Sequence, residues 1–197
     1  MLKYFTLSMI IRYFAVLFAY VWGGMEIFQQ VKQSRQKSGK TNEDRGSLLL
    51  IYGAIFLGYA LGIPFAFAKY GRINWGAPYL AMTGLLVIFA GGWLRLVAMR
   101  TLKQHFTYAV SISEQQELIE KGLYRLIRHP AYLGELLIFL GIGLAFANWI
   151  SLASLVIFPL VAFSARIRVE EKALAEHFGE RYAEYCKRSW RLLPWVY

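Results

Sequence analysis

Cysteine is almost absent from this chain of 197 residues, which contains only Cys186. A single cysteine excludes an intrachain disulfide and a metal site built from several thiolates. A lone nucleophilic thiol stays open as an alternative, but the surrounding amphipathic pattern favours a passive one. The three histidines are widely separated in the sequence and do not predict a zinc site. We therefore expect no metal cofactor.

Acidic residues are also scarce, with 12 Asp and Glu against 22 Lys and Arg, which gives a formal net charge of +10. In a soluble protein such an excess raises the question of a nucleic-acid partner. No groove-binding motif or zinc-finger spacing accompanies it here. The basic residues instead flank apolar segments, as topology signals do against anionic lipid headgroups. We expect membrane lipids as partners and no nucleic acid.

Apolar sequence is abundant, with 57% hydrophobic residues, 17% aromatic residues and a mean hydropathy of +0.40. Runs of this length predict an all-α integral membrane protein with about five transmembrane helices, including a C-terminal helical hairpin. The N-terminal apolar run lacks a small-residue cleavage site and is interpreted as a retained first helix. The predicted helices are Tyr4 to Phe28, Leu48 to Ala68, Tyr79 to Met99, Tyr132 to Ala147, Trp149 to Ala165, and an amphipathic tail helix from Arg166 to Arg188.

Single residues inside these helices carry further expectations. Arg12 lies within the first helix, where a charge is costly, so it either reaches out to the interface or faces the bundle, and we expect the former. Gly84, Gly91 and Gly92 predict a close approach between the third helix and a neighbour. The division we expect is N-terminal transmembrane helices over residues 1–99 and a catalytic region over residues 100–197, joined in one membrane domain.

The distribution of Lys and Arg predicts the topology. Five basic residues lie in the loop after the first helix and two in the loop after the second, while the segment before the hairpin and the C-terminal tail are strongly basic. The positive-inside rule then places the N-terminus outside, the C-terminus inside, and the polar residues of interest on the cytosolic face. In a bacterium the membrane would be the inner, plasma membrane.

The stretch GLYRLIRHPAYLGE, which begins at Gly122, is where polar chemistry meets the hairpin. Pro130 suits the first turn of a helix, and it biases His129 toward an extended conformation. The imidazole and the free N–H groups of that turn should face one point, which favours a carboxylate or a phosphate. A basic cluster that only sets the topology is the alternative.

A second polar patch follows the hairpin and holds Arg166, Glu170 and Glu171. A tight hairpin returns its two ends to one face, so this patch should meet Tyr124, Arg128, His129 and Tyr132. Arg166 and Glu170 are four residues apart on one helix face, and an ordinary surface salt bridge is the alternative explanation for them. The adjacent carboxylates point to different sides and do not predict an acid–base pair.

Three sequence blocks together resemble a known family. The blocks G-L-Y-R-L-I-R-H-P-A-Y-L-G, R-I-R-V-E-E-K-A-L-A-E-H-F-G-E-R-Y-A-E-Y and R-L-L-P are similar to those of the isoprenylcysteine carboxyl methyltransferases and their relatives, the phospholipid methyltransferases. The resemblance covers about half the chain, from Leu102 to Pro194. It implies a membrane-embedded enzyme that uses S-adenosyl-L-methionine, with a cytosolic cofactor pocket closed by the tail helix.

The resemblance also implies roles for single residues. Arg166 would be the catalytic and substrate-binding residue, meeting the carboxylate of an isoprenylcysteine-like or other lipophilic acceptor. Glu135 is not part of the resemblance: it lies one turn into the membrane, should therefore face a cavity or a cation such as Arg95, and is a candidate substrate-binding residue. The expected cofactor-binding residues are Gln116, Glu117, Leu118, Ile119, Tyr124, His129, Pro130, Ala131, Tyr132 and Glu170.

Two features leave alternatives open. Lys103 stands where the family often has glycine, so the local backbone is expected to differ there. The RHPxYxGE stretch and the Tyr-Cys and Pro-aromatic ending are also similar to membrane sterol reductases, which would bind NADPH. A phospholipid N-methyltransferase and a non-catalytic scaffold are the other possibilities. Titration with S-adenosyl-L-methionine and with NADPH separates methyltransferase, reductase and scaffold, and the identity of the methyl acceptor stays open.

Overall fold

The computed structural model describes residues 2–36, 45–103 and 117–194. Within these ranges the chain is helical, and the all-α membrane fold is confirmed. The helices are α1 (Leu2–Gln36), α2 (Arg45–Phe67), α3 (Ala77–Leu102), a 3-10 helix (Gly122–Arg125), α4 (Pro130–Phe146), α5 (Trp149–Phe178) and α6 (Glu180–Lys187). Four of them, α1, α2, α3 and α5, are long and apolar enough to cross a membrane, and α4 is a shorter apolar helix.

Helix α4 lies at the centre of the described bundle, packed against α3 on one side and α5 on the other. Ile138, Ile142 and Phe146 of α4 are fully buried, together with Leu155 of α5. Outward-facing residues of α1, α2 and α3 remain largely apolar and exposed, as expected of surfaces that face lipid. The buried face of α4 therefore fixes the position of its first residues, which belong to the candidate site.

The contact between α3 and α4 depends on glycine. A Cβ atom at Gly91 would lie 2.6 Å from the carbonyl oxygen of Gly134, and one at Gly84 would lie 2.5 Å from the amide nitrogen of Ala145. Only the absence of a side chain permits backbones to approach this closely. The prediction is confirmed for Gly84 and Gly91. It is wrong for Gly92, which meets only the Trp22 ring at an ordinary 3.9 Å.

Two residues, Ala147 and Asn148, form the turn of the hairpin between α4 and α5. Ala147 adopts a left-handed conformation and ends α4, and Asn148 caps α5 by accepting hydrogen bonds from the amides of Ile150 and Ser151. The Asn148 amide also donates to the carbonyl of Tyr70, at 2.7 Å. These bonds satisfy the end groups of α5 and join the turn to the loop after α2. The predicted hairpin is therefore present.

The helix after the hairpin differs from its prediction. No break occurs at Ala165: α5 runs on through Arg166 to Phe178, and the chain turns only at Gly179, whose φ is +55°. Glycine tolerates this conformation, so the interruption falls there. The apolar and amphipathic segments share one helical period, so the helix continues through both. Only the composition changes at Ala165, and this change suggested a boundary.

Arg12 also differs from its prediction. It is buried, and its guanidinium donates to the carbonyl of Ala66 in the last turn of α2, at 2.8 Å. Carbonyls at a helix C-terminus lack intrahelical partners and carry partial negative charge. Arg12 therefore faces the bundle, where it finds an acceptor.

Candidate active site

The two polar patches that flank the hairpin meet at one end of the bundle. The hydroxyl of Tyr132, on the first turn of α4, donates to Glu170 Oε2 of α5 at 3.1 Å. His129 lies between the carboxylates, with Nδ1 4.0 Å from Glu170 Oε2 and Nε2 3.4 Å from Glu171 Oε1. The meeting predicted from the hairpin is therefore confirmed for these four residues.

The adjacent carboxylates have different surroundings. The Glu170 side chain is 35% exposed, whereas that of Glu171 is 12% exposed. Glu171 pairs with Arg128 Nε at 2.9 Å and with Arg191 Nη2 at 2.7 Å. Successive residues of a helix point about 100° apart, which accounts for the separation. Glu170 is therefore the carboxylate that a ligand can reach.

The His129 side chain is nearly inaccessible, with 4% exposure. Among the residues that the structure describes, none makes a well-formed hydrogen bond to its Nε2 atom. Buried ring nitrogens are normally satisfied, so such an atom calls for an explanation. Glu171 Oε1 lies 3.4 Å from Nε2, so this carboxylate is the polar group beside the buried ring.

Tyr124, in the 3-10 helix, lies beside the first turn of α4. Its side chain packs against Ala98 of α3 and Ala131 of α4, and its carbonyl accepts a hydrogen bond from the Tyr185 hydroxyl at 2.5 Å. Burial raises the pKa of Tyr124, and the nearby charge of Glu170 raises it further. Burial also raises the pKa of Tyr185. Both phenols therefore stay protonated at neutral pH, and the Tyr185 hydroxyl remains a donor.

The other predicted cofactor residues occupy varied positions. Pro130 and Ala131 are buried at the start of α4, and the Ala131 carbonyl accepts from Arg95 Nη1 at 3.1 Å. Leu118 is buried against Tyr182 and Tyr185, while Ile119 is half-buried and Glu117 is exposed. Gln116 lies outside the described residues. Lys103 has φ +51°, a region that favours glycine, so the chain keeps a glycine-like backbone at this position.

Arg166 is 1% exposed and lies in the middle of α5, not at the start of a tail helix. Its guanidinium donates to Ser47 Oγ in the first turn of α2. Phe163 lies about one helical turn before Arg166 and Glu170 about one turn after it. Tyr132 of α4 contacts both Phe163 and Glu170. Arg166 therefore lies on the side of α5 that faces α4 and α2, inside the bundle.

Glu135 belongs to a buried polar cluster beneath the first turn of α4. Arg95 Nε lies 2.9 Å from Glu135 Oε2, which confirms the predicted pairing, and the Trp22 indole donates to the same carboxylate at 3.2 Å. Arg95 also binds both carboxylate oxygens of Glu26, at 2.8 and 2.7 Å. A direct contact of Glu135 with a substrate stays a prediction.

Sequence reasoning missed three contributors to the site region: Glu26, Ser47 and Arg191. An ionisable residue within the first apolar helix was an available signal for Glu26, because such residues face bundle interiors. Arg191 stands in the R-L-L-P block, whose spacing to the hairpin gives no geometric clue. Ser47 carries no pattern that distinguishes it from other polar residues at a helix start.

Comparison with known proteins decides the family. Residues 79–181, more than half of the chain, match the family model described as phospholipid methyltransferase. The chain belongs to the phospholipid methyltransferase family. The matched region contains the α3–α4 contact, the His129 segment and the Glu170 carboxylate, so the family assignment and the polar site coincide.

Curated relatives of this phospholipid methyltransferase family member have more specific names. The probable protein-S-isoprenylcysteine O-methyltransferase of Oryza sativa subsp. indica is 32% identical over 120 residues, which span 60% of this chain and 63% of that protein. The Homo sapiens protein-S-isoprenylcysteine O-methyltransferase is 34% identical over 127 residues, 64% of this chain and 43% of that protein. The chain thus matches less than two thirds of the length of either relative.

A solved structure shares the fold. It is described as the eukaryotic intramembrane Ras methyltransferase ICMT (isoprenylcysteine carboxyl methyltransferase), and it aligns with a TM-score of 0.56 over 99% of this chain and 96% of that chain. The sequence identity is 18%, so this likeness concerns the fold alone. Together with the apolar helices, it identifies a multi-pass integral membrane protein. The resemblance seen in the sequence is confirmed by the family model and by the names of the curated relatives.

Proposed function

We propose that the chain is an S-adenosyl-L-methionine-dependent membrane methyltransferase that methylates the carboxylate of an isoprenylcysteine-like acceptor. One observation carries the proposal. His129, Tyr132 and Glu170, which the resemblance assigns to cofactor binding, lie together in the structure. The names of the curated relatives support the reaction class.

The donor set suits S-adenosyl-L-methionine. This cofactor combines a cationic sulfonium with an ammonium and a ribose, so its site needs an accessible carboxylate and hydrogen-bonding groups. Glu170 is accessible, the His129 ring is buried with Nε2 3.4 Å from Glu171 Oε1, and the Tyr132 hydroxyl lies 3.1 Å from Glu170. We assign Glu170 to the cationic or ribose part, and His129 with the Pro130–Tyr132 turn to the enclosing wall.

Arg166 is assigned to the acceptor carboxylate. A planar guanidinium holds a carboxylate by two parallel hydrogen bonds, which fixes the direction of the reacting oxygen. Arg166 lies among buried residues of α2 and α5, so the acceptor would reach it with its apolar tail between helices. Glu135, one turn further along α4 and paired with Arg95, stays a second candidate for contact with the acceptor.

The chemistry asks the protein for positioning more than for acid–base catalysis. S-adenosyl-L-methionine supplies the activated methyl group when bound. An ionised carboxylate is already nucleophilic, so no side chain has to remove a proton before transfer. Arg166 orients the acceptor, Glu170 and His129 orient the donor side, and the burial of Arg166 and His129 excludes competing water.

The membrane arrangement is part of the proposal. The N-terminus lies outside, α1 to α5 make five crossings, and the site faces the cytosol, at the inner membrane if the source is bacterial. The basic residues beside the site support this orientation. The division into transmembrane helices over residues 1–99 and a catalytic region over residues 100–197 also stays a proposal.

The test uses the full chain in lipid nanodiscs with methyl-labelled S-adenosyl-L-methionine. An S-farnesylcysteine analogue is expected to gain label as a base-labile ester, whereas its methyl ester, which has no free carboxylate, is not. Label on phosphatidylethanolamine instead would favour the second candidate, a phospholipid N-methyltransferase, which the name of the matched family model supports. Label on neither acceptor would contradict both assignments.

A further inference from the structure

The segment from Cys186 to Leu192, here called the C-terminal strap, lies across the residues that precede α4. Three backbone hydrogen bonds join them: Arg128 N to Trp190 O at 2.8 Å, Trp190 N to Leu126 O at 2.8 Å, and His129 N to Arg191 O at 3.2 Å. The strap is therefore attached directly to the backbone of His129, a proposed cofactor residue.

Arg128 holds the strap from the other side. Its Nη1 donates to the carbonyls of Ser189 and Cys186, and the Ser189 hydroxyl donates to the Tyr185 carbonyl at 2.6 Å. These carbonyls belong to the end of α6 and the turn after it, where partners within the helix run out. One arginine thus connects the end of α6 to the start of α4.

Glu171 is the point where strap and site meet. Its Oε1 lies 2.9 Å from Arg128 Nε and 3.4 Å from His129 Nε2, while Oε2 lies 2.7 Å from Arg191 Nη2. Arg191 thus holds one oxygen of the carboxylate whose other oxygen faces the imidazole. A carboxylate held on both sides by guanidinium groups cannot rotate freely, so its position beside His129 is fixed.

We propose that Arg191 is a positioning residue of the donor site, acting through Glu171 on His129. The strap is then a part of the site and not only a cover for α6. This inference rests on the proposed function, because it assigns the His129 pocket to S-adenosyl-L-methionine. It adds a residue from the C-terminal strap to the site, whereas the site residues predicted from the sequence extend only to Glu170.

A purely structural role makes a different prediction. The strap also buries Leu192, and α6 buries Tyr182 and Tyr185. If Arg191 served only to attach the strap, its loss would lower thermal stability without a specific effect on the imidazole or on the donor. The nearby pair of Arg188 with Glu120 offers a matched control, because it attaches the same segment but does not touch Glu171.

The experiment compares Arg191→Gln with Arg188→Gln in the full chain in nanodiscs. The first readout is the dissociation constant of S-adenosyl-L-methionine, expected to rise about tenfold or more in Arg191→Gln, as for the loss of a charge-assisted bond, and to stay near wild type in Arg188→Gln. The second readout needs no cofactor: the nitrogen chemical shift of the His129 ring, assigned with His129→Asn, should move only in Arg191→Gln.

Two further variants complete the test. Arg191→Lys keeps the charge and is expected to recover part of the affinity, which keeps the proposal testable if the glutamine variant fails to fold. Adding Arg191→Gln to Glu171→Gln should weaken binding little further, because both act through one contact.

Equal cofactor affinity and equal ring shifts in Arg191→Gln and Arg188→Gln would overturn the positioning role while leaving the methyltransferase proposal intact. A wild-type protein that binds no S-adenosyl-L-methionine would overturn both.

Discussion

Replacing Glu170 with glutamine separates charge from shape at the candidate site. Glutamine has nearly the same volume and keeps an oxygen that can accept the hydrogen bond from the Tyr132 hydroxyl. In the wild-type chain this hydroxyl lies 3.1 Å from Glu170 Oε2. The contact between α4 and α5 should therefore persist. What is lost is the negative charge of the accessible carboxylate, and with it the attraction for a cationic cofactor.

The size of the loss follows from burial and distance. Two unit charges 4 Å apart interact by about 4 kcal/mol at an effective dielectric constant near 20. The Glu170 side chain is 35% exposed, so solvent screening reduces this value. A hydrogen bond that involves a charged partner is worth roughly 1.5–3 kcal/mol, which corresponds to an affinity loss of about ten- to a hundredfold.

The assay is calorimetric titration of S-adenosyl-L-methionine into wild type and Glu170→Gln in nanodiscs. Glu176→Gln is the matched control, since Glu176 lies on the same helix, is 68% exposed and pairs only with Lys172 among the described residues. Tyr132→Phe removes the hydrogen bond but keeps the charge, and its effect should be smaller. Wild-type affinity in Glu170→Gln would refute the assignment of this carboxylate to the cofactor.

Three further predictions concern acceptor, packing and topology. Arg166→Lys should keep cofactor binding but lose most turnover on a carboxylate acceptor, because lysine lacks the planar fork, and near-normal turnover would count against the role. Gly91→Ala should lower the thermal unfolding midpoint, as overpacking costs about 1–3 kcal/mol, whereas Gly92→Ala should not. Cysteine labels at Ser38 should resist an impermeant reagent in right-side-out vesicles and labels at Asn74 should react, and the reverse pattern would refute the orientation.

Much of the site was predictable because the hairpin has a short turn. Two apolar segments separated by Asn148 must run back to back, so the polar residues at their outer ends meet without any knowledge of packing. This rule predicts that the two polar patches meet, and the hydrogen bond between Tyr132 and Glu170 is one of the resulting contacts. The glycines of α3 likewise predicted a close approach to a neighbouring helix, and this held at two of three positions, since a residue without a side chain permits close approach only on the face that packs.

The parts that were not predictable depend on contacts between distant segments. The burial of Arg12 requires a free carbonyl from α2, which no local pattern reveals. The continuity of α5 through Arg166 was missed because a change of composition was interpreted as a change of element. The strap is attached by backbone hydrogen bonds, which any sequence can make, so its position next to His129 carries no sequence signal.

The intramembrane cluster of Glu26, Arg95 and Glu135 could be predicted from the sequence only in part. Its members come from three helices, and Arg95 alone was suggested as a partner for Glu135. A buried carboxylate needs a counter-charge and further hydrogen bonds, which Arg95 and Trp22 supply. The sequence predicts that such a residue has a partner, but only the packing of α1 against α3 and α4 brings the second carboxylate to the same arginine.

Direct titration of the purified full chain with S-adenosyl-L-methionine and, separately, with NADPH decides between a methyltransferase and a reductase. We expect saturable binding of S-adenosyl-L-methionine that weakens in Glu170→Gln and in His129→Ala, with no binding of NADPH. Saturable binding of NADPH without binding of S-adenosyl-L-methionine would contradict the methyltransferase assignment and favour the reductase alternative.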